Sequence, residues 1–260
     1  MHQGAWLVWA TCGGLVAMST TNPFYLAPLF AATCFVHSAR RIEGPGSRSF
    51  RVFVLFGALT VLTRTALVLL GPVNRGSVLA AVLEGLRVAV MLAVFGTFSS
   101  VTDPWRILRL APRRFHEPAL AAALALSIAP RTIVAAARVR EAQRMRGIEP
   151  KRWRALPALA VPVLATGMEE AVTLAESMDA RGHGRGRRSR YRTEPWSPAA
   201  WGTAATAAVA AAVFLMFAGA LGGGLTPSTW PFVWPEASPW LVLAALSFAL
   251  PGALGSPVPR

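Results

Sequence analysis

Residues 52–98 read VFVLFGALTVLTRTALVLLGPVNRGSVLAAVLEGLRVAVMLAVFGTF, and this stretch decides the fold class. It contains two long apolar runs, Val52–Leu70 and Val78–Phe98, around a short segment with Gly71, Pro72 and Asn74. An α-helix needs about 20 residues to cross the hydrocarbon layer of a membrane. Gly, Pro and Asn favour a turn between two such runs. The stretch therefore predicts two antiparallel membrane helices that meet at Asn74.

Four further apolar stretches extend this pattern over the chain. They are Gly4–Met18, Phe24–Val36, Ala199–Leu221 and Trp240–Leu254. Ala199–Leu221 is long enough to span, whereas the other three are short and are expected to be shallow, tilted or partly re-entrant. With a mean hydropathy of +0.46 and 54% apolar residues, the chain is predicted to be an all-α integral membrane protein with about five to six transmembrane helices.

The basic residues predict the orientation. Lys and Arg number 26 against 12 Asp and Glu, which gives a formal charge of +14. In a soluble chain this charge would suggest nucleic acid, but here it is concentrated between apolar stretches. The clusters lie at Arg40–Arg51, Arg106–Arg114, Arg131–Arg154 and Arg181–Arg192. Because basic loops stay in the cytoplasm, both termini are predicted to be cytoplasmic.

The region between the two groups of membrane helices is helical in period but more highly charged. Ala119–Arg146 and Leu159–Arg181 have helical periodicity, but both carry many charges. We expect a pair of long amphipathic helices that lie at the cytoplasmic face and pack on each other. The predicted domains are therefore 1–116 with N-terminal membrane helices, 117–195 with cytoplasmic helices, and 196–260 with C-terminal membrane helices.

These two amphipathic helices have similar endings. The first ends in Met145, Arg146 and Gly147, and the second ends in Ala180, Arg181 and Gly182. The two arginines are 35 residues apart (181 − 146). Ordinary helix capping explains such an ending, since Gly adopts the left-handed conformation and Arg meets the negative end of the helix dipole. A second interpretation, a paired recognition motif, stays open beside it.

The paired endings resemble those of the T components of energy-coupling factor importers, the CbiQ-type transmembrane family. Members of that family carry two Ala-Arg-Gly signatures at the ends of cytoplasmic coupling helices. Ala180, Arg181 and Gly182 match the signature fully. The first ending departs from it, because Met145 stands where alanine is usual while Arg146 and Gly147 are kept. The longer thioether is expected to loosen packing there without removing an ionic contact.

The resemblance implies a function in transport. A T component links two ABC-type ATPase subunits to a membrane-embedded substrate-binding S component, in the bacterial cell membrane. Arg146 and Arg181 would each contact a carboxylate on one ATPase, for which a planar guanidinium is better suited than lysine. Gly147 and Gly182 would let the chain turn away. The resemblance implies no cofactor, and the substrate, a vitamin or a transition-metal ion, would be selected by the S component.

Three charged residues fall inside predicted spans, where ionised groups are rare. Arg64 and Glu84 each lie ten residues from Asn74, so in an antiparallel hairpin they lie at equal depth and are predicted to pair. Glu84 and Arg87 are neighbours at i, i+3 on one helix face. A structural role that fixes the hairpin is favoured over a substrate or ion path.

Other function classes lack the residues they require. The only lysine, Lys151, is followed by Arg152, so the chain has no GxxxxGK[ST] phosphate loop and is not itself the ATPase. We identify no catalytic constellation and no metal-ligand cluster, and Cys12 and Cys34 are interpreted as small buried hydrophobes. A membrane enzyme, or another membrane scaffold with a basic cytoplasmic face, is the alternative. Arg181–Arg192 would attract anionic lipid, but Tyr191 is its only aromatic residue apart from His183, which disfavours nucleic acid.

Overall fold

A computed structural model describes residues 2–40, 45–71, 74–147, 156–183, 185–186, 195–221, 225–226 and 237–253. Over these residues the chain is helical and contains no strand, which confirms the predicted all-α class. It forms two compact units. The first combines Met1–Leu110 with Glu194–Arg260, and the second is Ala111–Thr193.

The first unit contains eight described helices. They are α1 (Gln3–Ser19), α2 (Pro23–Arg40), α3 (Pro45–Leu69), α4 (Arg75–Val101), α5 (Pro104–Leu108), α8 (Pro198–Leu221), α9 (Pro239–Ser247) and α10 (Leu250–Ala253). The short apolar stretch Trp240–Leu254 forms two helices, α9 and α10. Pro251 supplies the physical reason: a proline cannot donate to the carbonyl four residues earlier, and its ring clashes with it. That carbonyl belongs to Ser247, the last residue of α9.

The core of the first unit is apolar and aromatic. Trp9, Tyr25, Phe214 and Phe248 are fully buried and come from α1, α2, α8 and the end of α9. The indole Nε1 of Trp9 donates to the carbonyl of Phe248 over 3.1 Å, and Tyr25 packs edge-on against Phe214. These contacts tie the C-terminal helices to the first two helices of the chain.

Contacts along α4 establish the direction of its neighbours. α1 is antiparallel to α4, since Gly13 faces Val94 and Met18 meets Arg87. α2 is parallel to α4, because the Thr97 hydroxyl lies 3.4 Å from the carbonyl of Thr33 and His37 meets Ser100 one turn further along both helices. The ends of α2 and α4 and the start of α1 therefore lie at the same end of the unit.

The helices α3 and α4 form the predicted hairpin and approach each other closely. Gly85 faces the backbone of Val61, where a Cβ added at Gly85 would lie 2.8 Å from the Val61 Cα. Gly57 faces Ala89 in the same way, and a Cβ added at Gly57 would lie 3.0 Å from the Ala89 Cα. Small residues at these crossings let the two backbones pack directly, as is common between membrane helices.

The second unit consists mainly of α6 (His116–Met145) and α7 (Leu156–Ala180), which pack on each other as expected. Within this unit large apolar side chains remain exposed on α7, among them Val161, Leu164 and Met168. These three recur at helical spacing and so mark one apolar face of α7.

Four described helices are long and apolar enough to cross a membrane. They are Ser49–Leu69, Arg75–Val101, Glu117–Met145 and Pro198–Phe217. Three of them correspond to the stretches of spanning length. The fourth is α6, whose charges led to the prediction that it lies at the cytoplasmic face; its length and composition also permit a membrane span. The charges of α6 are concentrated from Arg131 onwards, so the preceding turns form a long apolar window.

Candidate functional site

The end of α6 is a capped helix terminus with an exposed arginine. Gly147 has φ +71°, and its amide donates to the carbonyl of Arg144 over 3.0 Å. The amide of Arg146 donates to the carbonyl of Gln143 over 3.1 Å, so carbonyls of the last turn are satisfied by the backbone. Met145 is 81% exposed and Arg146 is exposed beside it.

The end of α7 repeats this geometry. Gly182 has φ +73°, and its amide donates to the carbonyl of Asp179 over 2.8 Å. The amide of His183 reaches back to the carbonyl of Met178 over 2.9 Å. This pair of bonds is the Schellman arrangement, which needs a left-handed residue just after the helix. Ala180 ends the helix, and Arg181 is exposed.

The capping interpretation therefore accounts for both glycines. Gly147 and Gly182 are the only described glycines with positive φ, and a Cβ on either would meet nothing within 4 Å. Their requirement is one of backbone conformation and not of space. Hydrogen-bond capping does not account for the arginines in the same way, because backbone amides already donate to three carbonyls of each last turn.

Neither arginine has a carboxylate partner within the described part of the chain. Arg185 pairs with Asp179 over 3.3 Å, and Arg106 pairs with Asp103 over 3.9 Å. Arg146 and Arg181 form no such pair with a described residue. Two guanidinium groups are thus presented at equivalent positions, each beside a glycine that redirects the chain.

Arg64, Glu84 and Arg87 are the charged residues that fall inside the predicted spans of the α3–α4 hairpin. A guanidinium nitrogen of Arg64, Nη1, donates to Oε2 of Glu84, the partner predicted for it. The two side chains are 46% and 53% exposed. The prediction also placed Arg87 beside Glu84, and the structure gives Arg87 a different partner: its Nη2 donates to the backbone carbonyl of Met18.

Met18 is a site residue that sequence reasoning missed. Its carbonyl belongs to the last turn of α1, where helix carbonyls have no partner within the helix. An arginine at this end also meets the negative end of the helix dipole. The short length of α1 was the available signal, because a helix that ends within an apolar protein must have its terminal carbonyls satisfied by another group.

We expect Arg64 and Glu84 to be energetically coupled. Arg64→Ala and Glu84→Ala each leave one charge without its partner, so the double variant should lose less stability than the sum of the single losses. A coupling of about 1 kcal/mol or more is expected for residues in direct contact. Unfolding of the four proteins in the same detergent measures it. Arg75→Ala at the exposed start of α4 serves as the control partner, and additive losses for Arg64 and Glu84 would contradict the pairing.

Another polar junction joins three helices at the opposite end of the hairpin. The Nδ1 atom of His37 lies 2.8 Å from the hydroxyl of Ser100, and its ring stacks on Phe50 with centroids 3.8 Å apart. The contacts link α2 to α3 and α4. The sequence offered only an isolated histidine at the end of an apolar stretch, so this junction could not be predicted.

The described residues contain no group of three or more His, Cys, Asp or Glu placed to hold a metal ion. Arrangement and composition together define an α-helical integral membrane protein. A family model described as cobalt transport protein, CbiQ, matches residues 2–192, more than half of the chain. The chain therefore belongs to the CbiQ family, as its helix endings suggested, and is a component of a membrane transport system. No curated protein matches it.

Proposed function

We propose that this chain is the transmembrane coupling subunit of an ATP-driven importer of the energy-coupling factor type. The observation that carries the proposal is the repeated geometry at the ends of α6 and α7: an exposed arginine without a described carboxylate partner, followed by a glycine in the left-handed conformation. Membership in a transport family supplies the context.

Each helix end has the features needed to enter a groove on an ATPase subunit. Arg181 follows the last turn of α7, and the small Ala180 before it permits close approach. A guanidinium presents a planar set of donors that matches a carboxylate with two parallel hydrogen bonds. If that pair is buried in a groove, binding depends strongly on both partners, since removal of one partner leaves the other charge desolvated. Met145 gives the α6 end a bulkier neighbour and a looser fit.

Two anchors allow motion to be transmitted. α6 and α7 pack on each other, so displacement of both ends by two closing ATPase subunits would tilt the helix pair. Closure of packed elements around a ligand is a common way to convert nucleotide binding into movement. In this proposal the chain itself performs no chemistry: the ATPases hydrolyse ATP, and the S component holds the substrate.

The substrate proposed is a transition-metal ion or a vitamin. The family description names cobalt, and the selectivity would reside in the S component. The chain would lie in the bacterial cell membrane with its basic clusters and both termini in the cytoplasm, because those clusters follow the positive-inside pattern. This orientation would put the two helix ends on the side where ATP is available.

A pull-down tests the proposal. The tagged chain is purified in mild detergent from its own host, and copurifying proteins are identified by mass spectrometry. We expect two ATPase chains, or two copies of one, together with a small hydrophobic protein that binds substrate. Recovery of the chain alone would contradict the coupling function. Turnover of a small molecule by the purified chain alone would favour the membrane-enzyme alternative.

A further inference from the structure

The helix α1 ends well before the tip of the α3–α4 hairpin. Arg87 meets the last turn of α1 at Met18, and α4 begins at Arg75, 12 residues away (87 − 75). At 1.5 Å per residue, the hairpin therefore continues for about 18 Å beyond the end of α1. α2 begins near the same level, because it is parallel to α4 and starts at Pro23.

The turn between α1 and α2 is hydrogen-bonded to another part of the first unit. The Thr20 hydroxyl donates to the carbonyl of Leu225 over 2.8 Å, and the Thr21 amide donates to the same carbonyl over 3.0 Å. Asn22 is fully buried, and its side chain accepts from the amide of Phe24 over 3.0 Å. A buried, satisfied polar turn is what a segment needs if it lies below the membrane surface.

The part of the hairpin that no other described helix covers carries charge. Arg87, Glu84 and Arg64 form a ridge that starts at the end of α1 and continues towards the hairpin tip. Arg64 lies five residues before Leu69, the end of its apolar span, or about 8 Å inside it. Glu84 and Arg64 are half exposed. Among the described helices, α4 packs against α1, α2 and α3, and only α3 accompanies it beyond Met18.

The ridge has more hydrogen-bond donors than acceptors. Two guanidinium groups supply about ten N–H groups, whereas the acceptors facing them are the Glu84 carboxylate and the Met18 carbonyl. The ridge also bears a net charge of +1 (two Arg, one Glu). Acyl chains offer no acceptor, and an exposed polar group in hydrocarbon is costly. A partner that covers the ridge should therefore bring carboxylate, amide or carbonyl oxygens at membrane depth.

We propose that the ridge formed by Arg64, Glu84 and Arg87 is the intramembrane docking surface for the S component, which covers it with a membrane helix that carries hydrogen-bond acceptors. This inference rests on the proposed function, which supplies a membrane-embedded partner. The ridge extends from about 8 Å below the level of Leu69, at Arg64, to about 13 Å below it, at Arg87. A protein helix suits this range of depths better than a phospholipid, because a phosphate at the membrane surface would not reach the deep end of the ridge.

A neutralised hairpin gives the first test. The double variant Arg64→Leu with Glu84→Leu removes both charges and leaves the hairpin apolar, a replacement that is often neutral for folding. The S component is first identified with the wild-type chain by copurification and substrate binding, and is then coexpressed with its own tag. We expect the double variant to retain the ATPases and to recover at least about tenfold less S component, which corresponds to about 1.4 kcal/mol. Leu59→Ala, on the exposed side of α3, should recover both partners normally.

Photo-crosslinking gives the second test and identifies what covers the ridge. A photoreactive residue at Ala80, one turn before Glu84 on the same face, should crosslink the tagged S component. The same residue at Leu62, which is 65% exposed on α3, should give mainly lipid adducts. The inference would be overturned if Ala80 gave lipid adducts alone, or if the double variant recovered the S component in full. In either case, binding of the ATPases would still support the proposed function. Absence of ATPases from the wild-type preparation would instead reject the proposed function.

Discussion

Arg181→Glu should abolish copurification of an ATPase subunit and reduce substrate uptake by about a hundredfold or more. In the proposed complex Arg181 is buried against a carboxylate, and a glutamate there replaces an attraction with a repulsion. Loss of one partner from such a desolvated pair costs about 3–5 kcal/mol, which corresponds to a factor of roughly a hundred to several thousand in binding. Arg146→Glu should act in the same direction, with a smaller effect if Met145 already loosens the first anchor.

The chain offers matched controls for this prediction. Arg144→Glu changes the same charge in the last turn of α6, and Arg185→Glu does so three residues beyond Gly182. Both control arginines are exposed, and Arg185 is paired with Asp179 at the surface. Weakening of an exposed pair of this kind alters stability by less than about 1 kcal/mol. We expect both controls to recover the ATPases, measured by quantitative mass spectrometry and by uptake into reconstituted vesicles.

A different result for these variants would indicate that the arginines only cap their helices. A charge reversal in the last turn of a helix acts on the dipole by only about 0.3–1 kcal/mol. If Arg181→Glu and Arg144→Glu both leave ATPase recovery unchanged, the helix ends serve capping alone, and the coupling proposal should be abandoned. Gly182→Ala separates the two roles further, because it strains the left-handed position by about 1–2 kcal/mol and keeps the guanidinium.

Gly85→Leu should prevent the α3–α4 hairpin from closing. A Cβ at this position would already lie 2.8 Å from the Val61 Cα, an approach to backbone that no rotamer change relieves. The helices would have to separate, which would also move Arg64 away from Glu84. Overpacking of this kind costs about 1–3 kcal/mol and sometimes more, and we expect the upper end or beyond. The measurement is the unfolding midpoint in detergent together with the yield of monodisperse protein.

The control for Gly85 is Gly202 in α8. A Cβ at Gly202 would meet nothing within 4 Å, so Gly202→Ala should be neutral or stabilising by up to about 1 kcal/mol, because alanine is the better helix former. Gly85→Ala should fall between the two, since a single methyl group already requires a shift of the Val61 backbone. Equal stability of Gly85→Leu and Gly202→Ala would show that the two helices do not cross at Gly85.

The features predicted best from the sequence are those determined by local chemistry. Two runs of spanning length around Asn74 could form only a hairpin, and their separation predicted which charged residues share a depth. The helix ends at Gly147 and Gly182 were also predicted from the sequence, because a glycine just after a helix commonly adopts the left-handed conformation. The resemblance to the family rested on the two endings in order, of which the second carries the complete signature.

Features that depend on distant contacts were not predictable. The partner of Arg87 is a backbone carbonyl 69 residues away. The short length of α1 indicated that its last carbonyls need partners, but no side chain marks Met18 as the partner of Arg87. The position of α6 was predicted from its charges, although these are concentrated from Arg131 onwards and leave a long apolar window before them. The stretch Trp240–Leu254 was expected to be shallow, tilted or partly re-entrant, and its division into α9 and α10 follows from Pro251.

The contact between Arg87 and Met18 also bears on how the protein is made. Synthesis delivers α1 to the membrane before α4 exists, so the Met18 carbonyl initially lacks the guanidinium that satisfies it in the finished molecule. Arg87 in turn enters the membrane as a charge whose acceptor has already been inserted. Assembly of the first unit therefore includes a late step, in which the hairpin packs against the end of α1 and the contact between Arg87 and Met18 forms.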